Sequence, residues 1–282
     1  MSLIGKAKRR VFRDLYKPLK VFFYHQVSSC FVDAKDKESI FSSMEMFEKN
    51  LEYLRNHYHL VSLPEANDLF QQRKLRGERY AVITFDDGYA NILEALEVLN
   101  KQRVPATIFA NSKYVFERTV GVINLSVLAH SSLPNELTED QKRQIDLLCD
   151  HCIQDGYKQR WDDLMNSLPT LPTALDDLYL TPTQLDQLDK SLFTIGMHGY
   201  EHYNSLQLTD GEFMENMERD RTNLSQYSNF IPFFCFPYGY ARESQLILLR
   251  KSGVVPVLCA GGDNYSAKDV IYRQCLDGVK LY

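Results

Sequence analysis

The chain has 282 residues, of which 44% are hydrophobic, and a formal net charge of −5 at pH 7. This length and apolar content suffice to bury a full core, as one large or two small domains. The nearly balanced charge is unlike the basic footprint of a nucleic-acid-binding protein, so we expect no nucleic-acid partner. No apolar run approaches a membrane span, and no signal-peptide core follows the start. The six cysteines lack the spacing of a small disulfide-rich domain, which favours a reducing compartment.

The first 20 residues deviate from this average composition. They hold seven lysines and arginines against one aspartate, a local net charge of +6, and their apolar residues fall largely on one side of a helix. A basic amphipathic helix of this kind lies on anionic membrane surfaces, whereas a solvated arm has the same composition. Both interpretations of an arm over residues 1–18 stay open, and one of them is peripheral membrane contact through residues 1–20.

Predicted strands and helices alternate along the rest of the chain. Strand-like apolar runs lie at 20–24, 60–63, 81–85, 106–110, 193–197, 233–236, 255–260 and 270–273. Apolar stripes at helical spacing lie between them, over 47–54, 92–99 and 213–224. This alternation predicts a parallel α/β fold. About eight strands in roughly 260 residues favour a (β/α) barrel over an open sheet, so we predict one domain over residues 19–282.

Residues 111–180 interrupt the alternation. Helical patterns near 138–153 and 159–167 indicate a helical insertion that folds against the same domain. It contains Trp161, the only tryptophan, for which we expect core packing rather than a sugar-stacking role.

Two adjacent aspartates, Asp86 and Asp87, follow the predicted strand 81–85 within the segment Thr84–Tyr89. Asp-Asp-Gly after a strand is ordinary turn chemistry, because Asp bonds its own backbone and Gly supplies a positive φ. Alone, this segment therefore favours a simple turn.

A pair of histidines, His198 and His202, follows the predicted strand 193–197. Such a pair alone is typical of a protein surface. One Asp and two His, however, are a common catalytic zinc set that leaves a coordination position for water or substrate. The other Asp of the adjacent pair is then free to take a proton from that water. Together, the two segments indicate a metal-assisted hydrolase.

Two further polar segments end predicted strands. His25 follows strand 20–24, and Pro237-Tyr238-Gly239 follows strand 233–236. The aspartates, the histidines and these segments thus all lie at carboxyl ends of strands, the face on which barrel enzymes form their active sites. We therefore expect these distant groups to meet in one pocket.

These segments resemble the polysaccharide deacetylases that share the NodB homology domain (carbohydrate esterase family 4-like). The resemblance is carried by Phe23–Val27, Thr84–Tyr89, Leu180–Leu185 and Ile195–His202. It leaves out only the arm and residues 111–179. It implies an α/β fold, a distorted and incomplete (β/α) barrel of NodB type, here with a helical insertion at 111–180.

The resemblance also implies roles for individual residues. Asp87, His198 and His202 would bind a divalent metal, usually zinc and sometimes cobalt or nickel. Asp86 would be the general base, and the backbone N–H of Tyr238 would help to hold the developing oxyanion. The chemistry agrees, since an amide carbonyl is a poor electrophile and its hydrolysis requires polarisation, an activated water and a proton for the leaving amine.

The chain departs from many relatives in its proton donor. Those relatives carry a late Leu-x-His motif whose His is the general acid, and they open their third motif with Arg; here that segment opens with Phe233-Phe234, and no His follows His202. A branch that includes the poly-N-acetylglucosamine deacetylases carries the His on the first strand, in a Tyr-His pair. Tyr24-His25 fits that branch, so we predict His25 as the catalytic acid, the alternative being a buried core histidine. Arg273, near the last predicted strand, is a candidate for orienting Asp86.

The predicted function is removal of N-acetyl groups from an N-acetylated sugar or polysaccharide of the N-acetylglucosamine type. Two alternatives stay open: a glycan-binding pseudoenzyme, consistent with the missing late histidine, and a hydrolase of the same fold that acts on a non-carbohydrate amide. Substrate contacts are expected from Pro237, Tyr238, Gly239 and Tyr89. The basic arm and the cysteine usage predict a cytoplasmic location, peripheral to the inner membrane face.

Overall fold

A computed structural model describes residues 17–29, 40–72, 77–121, 124–126, 137–149, 156–168, 177–258, 264 and 270–282. Most of the predicted arm, residues 1–16, lies outside the described residues, as does the end of the predicted strand 255–260. None of the helices in these ranges is both long and apolar enough to cross a membrane.

Strands and helices alternate, as the sequence predicts. The strands are β1 (Lys20–Tyr24), β2 (Gln26–Ser28), β3 (Phe41–Ser43), β4 (His59–Leu60), β5 (Tyr80–Phe85), β6 (Ala106–Ala110), β7 (Phe193–Met197), β8 (Phe230–Cys235), β9 (Val255–Leu258), β10 (Ile271–Tyr272) and β11 (Gln274–Cys275). The helices are α1 (Met44–His57), α2 (Leu63–Gln71), α3 (Leu93–Lys101), α4 (Ser112–Glu117), α5 (Glu139–Cys149), α6 (Tyr157–Ser167), α7 (Pro182–Asp186), α8 (Asp210–Leu224) and α9 (Glu243–Lys251).

One parallel sheet organises the described part of the chain. Its strands run in the order β10-β9-β8-β7-β6-β5-β1-β11, and β4 pairs with β5 in addition. The two ends of this order, β10 and β11, are separated in sequence by Arg273 alone, so the sheet nearly closes on itself. The N–H of Arg273 donates to the carbonyl of Leu258 at 3.0 Å, and the N–H of Leu276 donates to that of Phe23 at 2.9 Å. The fold is therefore the barrel-like α/β architecture that was predicted.

The alternation of side chains along each strand divides the core in two. The larger cluster packs the outer faces of the strands against helices and includes Phe47, Ile83, Leu96, Ile108 and Phe213. The smaller cluster faces the barrel interior and includes Val21, Val82, Phe109, Phe233, Cys235 and Val257. Inner-face side chains at the carboxyl ends of the strands therefore lie at the open end of the barrel, where these strands end.

Some element boundaries differ from the sequence-based prediction. The predicted strand 60–63 is only His59–Leu60, because Ser62 caps α2 by accepting a hydrogen bond from the N–H of Glu65 at 3.3 Å. The predicted strand 233–236 begins earlier, at Phe230. The two-stranded parallel ribbon of β2 and β3 was not predicted.

The insertion helix α6 packs beside the loop that carries His202. Trp161 is 2% exposed, and its ring meets that of Tyr203 edge-on at 5.0 Å. The hydroxyl of Tyr157 accepts a hydrogen bond from the N–H of Asn204 at 3.4 Å. Trp161 is thus a packing residue, as expected, and the insertion supports the end of this loop.

Candidate active site and metal centre

Three predicted metal ligands lie together at the carboxyl ends of β5 and β7. Nε2 of His198 and Nε2 of His202 lie 3.1 and 3.2 Å from Oδ1 of Asp87. All three side chains are buried, and their ligand atoms lie within 4.8 Å of one another. Within the described residues, Oδ1 of Asp87 nevertheless accepts no hydrogen bond. A buried carboxylate oxygen without a donor, facing two imidazole nitrogens, fits a divalent cation bound between the three groups.

The tautomer of His198 agrees with this arrangement. Its Nδ1 lies 2.9 Å from the carbonyl oxygen of Cys235, an acceptor that requires the proton to be on Nδ1. In the neutral ring, which is the form that binds a metal, the lone pair is then on Nε2, which faces Asp87. A ring nitrogen held by a carbonyl is the usual outer contact of a metal-binding histidine.

The charge of Asp87 agrees as well. Burial by itself would raise the pKa of this carboxyl, but the two imidazoles beside it hold the pKa well below its usual range. Asp87 is therefore an anion at neutral pH.

The backbone that carries His198 is held by two buried side chains. Nδ2 of Asn111 donates to the carbonyls of His198 and Gly199, both at 2.7 Å. The carboxylate of Asp220 accepts from the N–H of Ser112 at 2.9 Å and from the N–H of His198 at 3.1 Å. These contacts tie the end of β7 to the end of β6 and to α8, which fixes the direction of the His198 ring.

Three site residues other than glycine adopt a left-handed backbone. The φ angles are 65° at Asp87, 54° at His202 and 60° at Tyr238. This conformation costs of order 1–3 kcal/mol per residue, and such residues cluster at functional sites. At Asp87 the positive φ follows directly after Asp86, so the two adjacent carboxylates reach different partners.

Asp86 forms a buried, bidentate ion pair with Arg273. Nη1 of Arg273 donates to Oδ1 at 2.7 Å and Nη2 donates to Oδ2 at 2.6 Å. Nη1 also donates to Oγ1 of Thr84 at 2.9 Å, and the guanidinium lies over the rings of Phe23 and Phe109. Burial opposes ionisation of Asp86, but the guanidinium charge outweighs it and lowers the pKa of the carboxyl. Asp86 is thus an ionised acceptor next to the proposed ligand Asp87.

A second cluster of metal-binding residue types, Asp86, His198 and Cys235, lies alongside the first. Both oxygens of Asp86 already accept from Arg273, and Nη2 of Arg273 lies 2.7 Å from Sγ of Cys235. A second cation here would be repelled by the guanidinium. The charges therefore favour the cluster of Asp87, His198 and His202.

His25 follows β1 and pairs with Asp277, which follows β11. Nδ1 of His25 lies 2.5 Å from Oδ2 of Asp277, and the backbone N–H of His25 donates to Oδ1 at 3.1 Å. Burial by itself would lower the pKa of His25, but the hydrogen bond and charge of Asp277 raise it to about 10. His25 therefore carries a proton at neutral pH and is suited to donate one.

The residues predicted to contact substrate lie in two places. Tyr238, between the buried residues Pro237 and Gly239, meets the ring of His202 edge-on at 4.9 Å. Tyr89 is 1% exposed, is stacked on Tyr179, and accepts a hydrogen bond from Nδ2 of Asn124 at 2.9 Å. The substrate roles of all four residues stay predictions.

Sequence reasoning missed four side chains that organise the site: Asn111, Asp220, Cys235 and Asp277. Each is a single residue without a spacing pattern. Asp277 is separated from His25 by 252 positions. Only its place directly after the last strand, on the same barrel face as the predicted site, was a usable signal.

Comparisons with known proteins agree with the fold and identify the family. The family model described as polysaccharide deacetylase matches residues 73–257. The YxkH protein of Bacillus subtilis, which bears the name of a polysaccharide deacetylase, is 34% identical over 103 residues, 35% of this chain and 34% of YxkH. The match thus spans about a third of the length of that curated relative.

Solved structures share the fold at low sequence identity. IcaB from Ammonifex degensii superposes with a TM-score of 0.62 at 18% identity, over 92% of this chain and 91% of IcaB. The deacetylase PplD of Streptococcus pyogenes, solved with acetate, superposes with a TM-score of 0.60 at 13% identity, over 92% of each chain. The matched segment covers well over half of the sequence and contains Asp86, Asp87, His198 and His202. The chain belongs to the polysaccharide deacetylase family.

Proposed function

We propose that this protein is a metal-dependent hydrolase that removes N-acetyl groups from an N-acetylated glycan of the N-acetylglucosamine type. The observation that carries the proposal is the buried, donor-free Oδ1 of Asp87 between the imidazoles of His198 and His202, beside the ionised Asp86. One carboxylate and two imidazoles best suit zinc, with cobalt or nickel as alternatives, and they leave coordination positions open. When bound, such a cation polarises a carbonyl and lowers the pKa of a bound water to about 7.

The protein residues supply the proton transfers. Asp86, kept ionised by Arg273, accepts a proton from the attacking water as its oxygen bonds to the acetamide carbon. We assign the N–H of Tyr238 to the oxyanion that develops there, a donor worth about 3 kcal/mol in comparable hydrolases. His25 then donates its proton to the leaving nitrogen as the C–N bond breaks. The products are acetate and a free amine on the sugar.

The pair of His25 and Asp277 supports an enzyme over a glycan-binding pseudoenzyme. A proton donor, His25, directly follows β1, although the late histidine of many relatives is missing. The same machinery would also cleave an acetamide on a molecule other than a sugar. For that reason the assay below includes small acetamides without a sugar.

The first prediction separates the base from the metal ligands. Asp86→Asn should bind metal stoichiometrically but lose about 10²–10⁴-fold in turnover, because general-base catalysis contributes that much. His198→Ala should lose both metal and turnover. The measurements are elemental analysis and acetate release from a panel of N-acetylated oligosaccharides and sugar-free acetamides, with zinc, cobalt or nickel.

His57→Ala is the matched control, since His57 is exposed at the end of α1, and the next strand, β4, pairs with Tyr80 at the end of β5 opposite to Asp86. It should behave as the wild type. Normal turnover by Asp86→Asn, or full metal content in His198→Ala, would contradict the assigned roles.

The second prediction concerns pH. The pKa of His25 is about 10 in the folded protein and about 6.5 when unfolded. The pairing with Asp277 therefore contributes stability that is fully present below pH ~6.5 and is lost as pH rises towards ~10. In that window the unfolding free energy of the metal-free wild type should fall, relative to Asp277→Asn, by up to ~1.4 kcal/mol per pH unit.

Urea unfolding with a chelator present, repeated from pH 6 to 10, measures this difference. His25→Gln should show the same flattened pH dependence as Asp277→Asn. Equal slopes for the wild type and both variants would show that His25 is not held protonated by Asp277.

We also retain as a proposal a cytoplasmic location, with peripheral membrane contact through residues 1–20. The local charge of +6 supports it. Deleting residues 1–18 should abolish co-sedimentation with anionic liposomes but leave acetate release unchanged. If both forms pellet equally, the membrane contact is refuted.

A further inference from the structure

Cys235 contacts both the predicted metal ligand His198 and the ion pair of Asp86 and Arg273. It ends β8 and is fully buried. Its carbonyl accepts the hydrogen bond from Nδ1 of His198 at 2.9 Å, on the metal side. Its Sγ accepts a hydrogen bond from Nη2 of Arg273 at 2.7 Å and lies 3.9 Å from Oδ2 of Asp86, on the side of the base. The main chain of Cys235 thus contacts the predicted metal ligand His198, whereas its side chain contacts Arg273 and Asp86.

The thiol completes a symmetrical set of contacts around the guanidinium. Among the described residues, each terminal nitrogen of Arg273 donates to one oxygen of Asp86 and to one further acceptor. That acceptor is Oγ1 of Thr84 for Nη1, at 2.9 Å, and Sγ of Cys235 for Nη2, at 2.7 Å. Together with the rings of Phe23 and Phe109, these two acceptors fix the plane in which the guanidinium of Arg273 meets the carboxylate of Asp86.

The chemistry of a thiol suits this position. A neutral thiol is a weak acceptor and a weak donor. It therefore fixes Nη2 without competing with Asp86 for the guanidinium charge, as another carboxylate would. A small hydroxyl keeps this property, whereas a methyl group removes the acceptor and leaves Nη2 with room to move.

We propose that Cys235 is a positioning residue for the general base, acting through Arg273. The proposal rests on the proposed function, in which Asp86 accepts a proton from water. It implies that the side chain of Cys235 sets turnover and not metal binding, because the contact with His198 is made by the main chain.

The test compares Cys235→Ala, Cys235→Ser and the wild type for kcat, KM and zinc Kd. Cys235→Ala should lower kcat about tenfold, the size of one hydrogen bond to a charged group. Its KM and zinc Kd should stay unchanged. Cys235→Ser should recover most of the lost kcat.

Val257→Ala is the matched control for packing. Val257 is the neighbour of Cys235 across β8 and β9, is fully buried and belongs to the same inner cluster. Its truncation also opens a cavity but removes no acceptor from Arg273, so kcat should stay near that of the wild type. The proposal would be overturned if Val257→Ala lowered kcat as much as Cys235→Ala, or if Cys235→Ala left kcat unchanged. It would also be overturned if Cys235→Ser did not recover kcat, or if Cys235→Ala weakened zinc binding in parallel.

A spectroscopic measurement separates this proposal from the proposed function. If the wild type releases no acetate from any substrate, the proposed function has failed. The ¹⁵N signals of the Arg273 guanidinium then still show whether Cys235 positions Arg273. The proposal expects equally slow rotation of the guanidinium in the wild type and Cys235→Ser, and faster rotation in Cys235→Ala, which keeps the contacts to Asp86 and Thr84 but lacks the one to Cys235. Identical spectra for all three proteins would refute it.

Discussion

The buried ion pair between Asp86 and Arg273 is the interaction on which the rest of the site depends. Removing either partner of a buried ion pair at this depth costs about 3–5 kcal/mol, because it leaves the other charge buried without compensation. Arg273 is also the one residue between β10 and β11, where the last segment meets both edges of the sheet. The same residue, Arg273, thus lies where the sheet nearly closes and keeps Asp86 ionised.

The two adjacent carboxylates, Asp86 and Asp87, have different partners because their environments differ. Asp86 faces a fixed guanidinium inside the barrel, and the left-handed backbone at Asp87 directs the next carboxylate to two imidazoles. Repulsion between neighbouring anions is offset only where each has its own positive partner. Asp86 has Arg273, and Asp87 lies between two imidazoles, where its donor-free oxygen fits the cation of the proposed function.

The sequence predicts the parts of this protein that follow from local pattern. Apolar runs and helical stripes predict the parallel sheet, and the position of Asp87, His198 and His202 after strands predicts that they meet. Sequence-based prediction fails for features that depend on very short segments, on helix capping or on residues distant along the chain. The three-residue strands β2 and β3 are too short for a periodic signal, and Ser62 ends a predicted strand by capping a helix. Asp277 becomes recognisable as the partner of His25 only once the last strand lies beside the first.

X-ray absorption at the metal edge of the zinc-loaded protein tests the central claim most directly. If Asp87, His198 and His202 hold the cation, the first shell contains only oxygen and nitrogen at about 2.0–2.2 Å, with the outer scattering of two imidazoles. A sulfur scatterer at about 2.3 Å would place the metal at a cysteine instead, of which Cys235 is the one beside the site in the described part of the chain. That result, or a protein that binds no stoichiometric metal, would contradict the account.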